Sequence, residues 1–162
     1  MKKRVIALLL MFMVWGCAGM TPKPLYRCGE SSREAHLPRV SRDDLLNEVS
    51  IYHGARYREG GTSMVGVDCS GLVQAVFGSL GVRLPRTVAD QFGRGVPVSR
   101  KDVKTGDLVF FGKTGLPTHV GIAISNTEMI HASSSRGVLV EDIDSFSQGM
   151  RLVGIRRIVR LI

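Results

Sequence analysis

Cysteine is scarce in this sequence: Cys17, Cys28 and Cys69 are the only three in 162 residues. An exported chain normally pairs its cysteines into a framework, so a thiol kept unpaired there points to chemistry rather than stapling. Internal repeats and low-complexity tracts are absent, which excludes a solenoid or an array. No cluster of His, Cys, Asp and Glu has ligand spacing, so neither a metal nor another cofactor is expected. Long apolar runs are missing as well. The opening run Val5–Trp15 is about half the roughly 20 residues a helix needs to cross a bilayer. Acid is in short supply too, with 14 Asp and Glu against 22 Lys and Arg.

That short apolar run follows Met1-Lys2-Lys3-Arg4, and a basic start before a short apolar stretch reads as a secretory signal. It ends in Val14-Trp15-Gly16-Cys17, which resembles a bacterial lipobox, with a small residue just before the cysteine. The resemblance implies cleavage after residue 16 and lipidation of Cys17. The competing reading is an ordinary signal peptide cut nearby, or a membrane-buried start. Ala18, where an Asp would favour retention, implies the outer membrane facing the periplasm. The positive balance survives loss of Lys2, Lys3 and Arg4 and suits an anionic partner. An exported chain rarely meets nucleic acid, so the wall and the membrane are the expected partners.

Residues 17–39 are rich in Pro, Gly, Ser and charge without periodicity, as a lipidated N-terminus and tether would be. His36 within it reads as a solvated side chain, and Cys28 has no assigned role. The remainder, 40–162, suffices for one domain with a real core. Ser41-Arg42-Asp43-Asp44 is an N-cap signal with an acidic first turn. Leu45, Val49 and Tyr52 recur at helical spacing, and Gly54 offers a stop. His53 reads as a cation at that helix end. A second helix is expected from Cys69, with Leu72, Val76 and Leu80 as one stripe, Val73 and Phe77 beside it, and Gly81 at its end. A short third helix passes through Ala89 and Phe92.

The period then changes. Asp107–Phe111, His119–Ile124, Glu128–Ala132, Val138–Glu141 and Leu152–Ile158 read as strands. Helices first and a mostly antiparallel sheet afterwards make the class α+β.

Two features carry chemistry. Cys69 stands in the first turn of a buried helix, where backbone amides, and an imidazolium if one is near, lower a thiol pKa from about 8.5 to roughly 3.5–7.5. Asp68 is expected to cap that helix. Taken alone, Cys69 is as readily a small buried structural cysteine. The second feature is a pair of histidines. On one strand His119, Gly121 and Ala123 share a face, leaving an open floor beside the imidazole, while Val120, Ile122 and Ile124 face the core. On the next strand His131 shares its face with Met129 and Ser133. A three-residue loop, Ser125-Asn126-Thr127, would pair Ile124 with Glu128 and set His131 opposite Gly121. The rings then lie on one face, about 7–8 Å apart between Cβ atoms. A two-residue turn would put them on opposite faces. Lone histidines are usually satisfied polar residues; two on one small-residue face invite a functional reading. Cysteine, histidine and a polar third member follow the logic of nucleophile, base and orienter.

Asp68-Cys69-Ser70-Gly71-Leu72-Val73, Gly106-Asp107-Leu108-Val109-Phe110-Phe111, Thr118-His119-Val120-Gly121-Ile122 and His131-Ala132-Ser133 resemble the NlpC-type cell-wall cysteine peptidases. Tyr57, Gly60-Gly61 and Leu84-Pro85-Arg86-Thr87 fit in the expected order, and Thr105 departs where members usually carry Pro. The resemblance implies a minimal papain-like fold and hydrolysis of peptidoglycan stem peptides; a monomer is expected. The usual bond lies between γ-D-glutamyl and meso-diaminopimelate. It assigns Cys69 as nucleophile, His119 as base and then acid, and His131 as orienter. The Cys69 amide and the Tyr57 hydroxyl would bind the oxyanion. Asp68 and Ser70 would line the substrate cleft, with helix capping the competing role for both. Two alternatives keep the same fold: an amidase of muramoyl-L-alanine, and a non-catalytic wall-binding lipoprotein.

Overall fold

The computed structural model describes Glu34 and residues 36–162. The expected signal segment 1–16, the expected lipidation site Cys17 and Cys28 lie outside the described residues, as does most of the expected tether.

A two-residue strand, β1 (Arg39–Val40), leads into α1 (Arg42–Tyr52). Ser41 starts this helix by accepting from the Asp44 amide at 3.3 Å, and Asp43 and Asp44 place negative charge in its first turn, where the helix dipole favours it. Leu45 and Val49, one turn apart, form its buried stripe. Past His53 the chain turns at Gly54, whose φ of 80° suits a residue without Cβ. A small hairpin, β2 (Thr62–Ser63) and β3 (Gly66–Val67), precedes α2 (Cys69–Ser79), and α3 (Val88–Phe92) follows. In α2, Leu72, Val73, Val76 and Phe77 are wholly buried, and burying a side chain of that size contributes roughly 1.5–3 kcal/mol.

The second half supplies β4 (Val96–Val98), β5 (Leu108–Phe111), β6 (His119–Ala123), β7 (Glu128–Ser133) and β8 (Gly137–Asp142), then α4 (Ile143–Gly149), β9 (Leu152–Arg157) and β10 (Arg160–Leu161). Six of these strands form one sheet in the order β4-β9-β5-β6-β7-β8, antiparallel throughout. The class is α+β, and the five strands expected from the sequence lie within a residue of their expected ends. The sequence reading missed β4, α4 and the parallel pair β1-β10. The expected boundary at residue 40 falls inside β1. Arg39 already pairs with Arg160, the Pro38 carbonyl accepts from the Arg160 amide at 2.8 Å, and the Glu34 carboxylate meets Arg157 at 2.6 Å.

Both faces of the sheet are covered. On one, Leu108, Phe110, Val120, Ile122 and Ile130 pack with Leu45, Val49 and the stripe of α2. On the other, Val109, Phe111, Ala123, Met129 and Ile155 pack with Ile143 and Phe146 of α4. The site is built where the N-terminus of α2 meets the end of β6.

Candidate active site

Asp68 is the N-cap of α2: its Oδ1 accepts from the Gly71 amide at 2.7 Å, which satisfies one of the helix's free donors. The same carboxylate accepts from the Gly60 amide at 2.8 Å, from the Ser70 hydroxyl at 3.3 Å and from Nη1 of Arg86 at 2.9 Å. Nη2 of Arg86 closes a second contact with Oδ2, and Nη1 also reaches the Ser70 hydroxyl at 2.8 Å. Burial opposes the charge on Asp68, yet the hydrogen bonds from Arg86, Gly71 and Gly60 outweigh it and hold the carboxyl below its usual range. Gly71 is required sterically, because a Cβ there would stand 1.9 Å from the Gly61 carbonyl oxygen. The turn that presents Cys69 is thus locked from several sides.

Cys69 is the first residue of α2 and is partly exposed, with a free thiol. The amides of Val120, Ser70 and Cys69 itself favour its thiolate. Val120 directly follows His119, so the sulfur sits beside the end of β6 that carries this histidine. The expected lowering of the thiol pKa is overturned. Burial is the largest influence and pushes it up, the Asp68 charge adds to this, and the three amides do not compensate. At neutral pH the resting thiol is protonated.

The histidines follow the odd-loop register. Ile124 donates to the Glu128 carbonyl at 2.9 Å, Gly121 lies opposite His131, and the rings share a face with Nε2 of His119 2.9 Å from Nδ1 of His131. Gly121 permits this closeness: a Cβ there would come within 2.7 Å of the Met129 sulfur and 3.3 Å of the His131 Cβ. Burial, with the His131 charge adding and Glu141 opposing, brings His119 down to about 4. Burial also lowers His131, against the hydrogen bond and charge of Glu141. Both rings are therefore neutral at pH 7, and the imidazolium considered for the thiol is not present at rest.

Two residues at the site escaped the sequence reading. Glu141, on β8, lies 2.6 Å from Nε2 of His131; only the β7–β8 register brings it there, although an acidic residue in a strand beside a histidine strand is a usable signal. Phe146, on α4, stacks on His119 with ring centroids 5.4 Å apart and 26° between planes, and meets His131 edge-on at 4.9 Å. It fills the floor that the sequence reading left open. α4 spans only seven residues, too few for periodicity to reveal.

Tyr57 bridges to Val67 next to the Asp68 turn. Burial, then the Cys69 and Asp68 charges, raise its phenol above the ordinary value despite Arg86, so its hydroxyl remains a donor. Among the described residues, no group of three or more His, Cys, Asp or Glu side chains is arranged to hold a metal ion. The assembly offers a thiol at a helix N-terminus, an imidazole pair on the strand whose Val120 amide meets that sulfur, and a phenolic donor, which are the parts of nucleophilic acyl transfer.

Residues 54–157 match the NlpC/P60 family. The chain is similar to the murein DD-endopeptidase MepS/murein LD-carboxypeptidase of Escherichia coli, with 41% identity over 101 residues, 62% of this chain and 54% of that protein. It is similar also to the bifunctional muramidase/DL-endopeptidase CwlT of Bacillus subtilis, with 39% identity over 120 residues, 72% of this chain and 36% of that one. The chain thus spans about half the length of the first relative and less of the second. A crystal structure of an NlpC/P60 family protein from Bacillus cereus superposes with a TM-score of 0.71 at 30% identity, covering 76% of this chain and 42% of that one.

Proposed function

The chain belongs to the NlpC/P60 family, and from that premise we propose that it is a cysteine endopeptidase of the bacterial cell wall acting on peptidoglycan stem peptides. The observation that carries this reading is the imidazole pair on the strand whose Val120 amide meets the Cys69 sulfur: Nε2 of His119 lies 2.9 Å from Nδ1 of His131, which leaves Nδ1 of His119 for the thiol proton. Cys69 attacks the scissile carbonyl carbon as its proton passes to His119. The Cys69 amide and the Tyr57 hydroxyl donate to the oxyanion, each such donor being worth about 2.7–4 kcal/mol in comparable enzymes. The tetrahedral adduct collapses to a thioester while His119 returns the proton to the departing amine. A water, deprotonated by His119, releases the acid and restores the thiol.

Asp68 and Ser70, offered as cleft-lining residues, have their polar groups engaged by Arg86 and by each other, which supports the capping role for Asp68 and a bracing role for Ser70.

The bond favoured is γ-D-glutamyl to meso-diaminopimelate. The DD-endopeptidase name of the Escherichia coli relative favours a second reading, cleavage of the cross-link between stems. Digestion of purified sacculi, with products weighed by mass spectrometry, separates them. A new diaminopimelate amino end on a shortened stem supports the first, and loss of cross-linked dimers with intact stems supports the second. Free L-alanine amino ends would replace both with the amidase, and no product with retained murein binding would replace them with the wall-binding lipoprotein.

The proposal extends to location. Residues 1–16 act as a signal, Cys17 carries lipid in the outer membrane, the segment after it tethers in the periplasm a domain whose contacts reach back to Glu34, and the protein works as a monomer. Incorporation of labelled palmitate into wild type and not into Cys17→Ala tests the anchor.

A further inference from the structure

Glu141 takes no part in the steps above, yet its carboxylate ends the same hydrogen-bonded line. Oε2 lies 2.6 Å from Nε2 of His131, and Oε1 accepts from Nη2 of Arg136 at 2.7 Å. An ionised carboxylate only accepts hydrogen bonds, so Nε2 of His131 must hold a proton. A neutral imidazole has a single N–H, so Nδ1 of His131 is bare. That nitrogen lies 2.9 Å from Nε2 of His119, which must then be the donor, and Nδ1 of His119 is bare in turn. Burial opposes the charge on Glu141, but Arg136 and His131 together hold the carboxyl below its usual range, so it is an acceptor at neutral pH.

We propose that Glu141 is a positioning residue of this site: its carboxylate, clamped by Arg136, sets the tautomer of both imidazoles and keeps the outer nitrogen of His119 unprotonated. Only the final link, use of that nitrogen as the base for Cys69, rests on the peptidase reading. The consequence is large where it has been tested in other folds, since an imidazole held in the wrong tautomer lowers kcat about 10⁴-fold in a serine protease.

Glu141→Gln reverses the line in a specific way. Arg136 can only donate, so it holds the amide oxygen and turns the NH₂ toward His131. Nε2 of His131 then becomes the acceptor, and both rings are driven to carry their proton on Nδ1. Adding Arg136→Leu frees the amide to rotate its oxygen toward His131 and restore the original order. The test is two-bond ¹H–¹⁵N correlation of the imidazoles in the full chain at pH 7, with the rings assigned by His119→Gln, alongside cleavage of murein. Wild type is expected to show both rings protonated at Nε2. Glu141→Gln is expected to show Nδ1 protons and a loss of cleavage of at least about 10²-fold, with the double variant recovering to within about 10-fold of wild type. A wild-type ring protonated at Nδ1 would overturn the proposal without any variant having to fold. So would Glu141→Gln with unchanged tautomers and an unchanged rate. Tautomers that follow the scheme in a chain that cleaves no murein would uphold the relay and sink the peptidase reading instead.

Discussion

The two sides of the candidate site are held by different means. On the nucleophile side the turn Asp68-Cys69-Ser70 is fixed by charge. Arg86 grips the carboxylate and the Ser70 hydroxyl, while the Gly60 and Gly71 amides fill the remaining positions on Asp68. On the imidazole side no full charge touches the base itself. His119 sees a neutral ring at 2.9 Å and the face of Phe146, and the formal charges of Glu141 and Arg136 enter behind His131. The difference teaches which group is meant to stay put and which to change protonation. An ion pair locks geometry, whereas an imidazole surrounded by apolar packing and one neutral partner can gain and lose a proton.

The comparison breaks first at the reacting atoms. Cys69→Ala and His119→Ala should each lower sacculus cleavage by at least about 10⁴-fold, as removal of a catalytic group does elsewhere, with the far-ultraviolet circular dichroism of the folded chain retained. Cleavage at a wild-type rate in either would end the assignment. His131→Ala should cost less, about 10²-fold, and His131→Asn or His131→Gln less again, because an amide can still orient Nε2 of His119. A larger loss in the amide variants than in Ala would contradict the orienting role.

The nucleophile side should respond in stability rather than chemistry. Asp68→Ala removes an N-cap and the carboxylate partner of Arg86, and thermal unfolding should report a loss of about 2–3 kcal/mol. An unchanged midpoint would show that the charge lock is not structural. On the imidazole side, Phe146→Ala should destabilise by about 2 kcal/mol, below the range for a fully buried Phe, and slow cleavage while leaving Cys69 open to alkylation. Unaltered kinetics would show that the stacked ring only fills space.

The smallest effect is in pH. His119 titrates at about 4 rather than 6.5 because burial disfavours its charged form. Its base form therefore persists well into acid, and cleavage rates should hold to about pH 5 and fall only as pH drops through about 4. A group with a lowered folded pKa makes the unfolded chain bind the extra proton first, so stability falls as pH moves down from 6.5 toward 4 and is regained above 6.5. An acid limb centred near 6.5 would mean that His119 is hydrated and the packing by Phe146 is misjudged.

How much of this could be read in the sequence differs along the same divide. The helix of Cys69 was legible because Leu72, Val73, Val76 and Phe77 mark its buried stripe and Asp68 its start. The imidazole pair was legible because strands alternate strictly: once the loop Ser125-Asn126-Thr127 is odd, His119 and His131 must share a face. What alternation cannot give is the residue brought in by the next strand or by a short helix. Glu141 reaches His131 only through the β7–β8 register, in which it stands opposite Met129. Phe146 comes from a helix of seven residues, and Arg86 meets Asp68 across a loop. The raised thiol was missed for a related reason. The helix terminus was visible in the sequence, but burial of the sulfur depends on how β6 closes over it, and burial is the stronger influence.

The central claim is that Cys69 carries the acyl group of a murein stem peptide. Acid quenching of the full chain during turnover of a purified muropeptide, followed by proteolysis and mass spectrometry, reads this directly. The account predicts the mass of the stem acyl group on the peptide containing Cys69, absent in Cys69→Ala and lost on brief alkaline treatment as a thioester should be. Cleaved muropeptide with an unmodified Cys69 throughout, or turnover undiminished in Cys69→Ala, would contradict it.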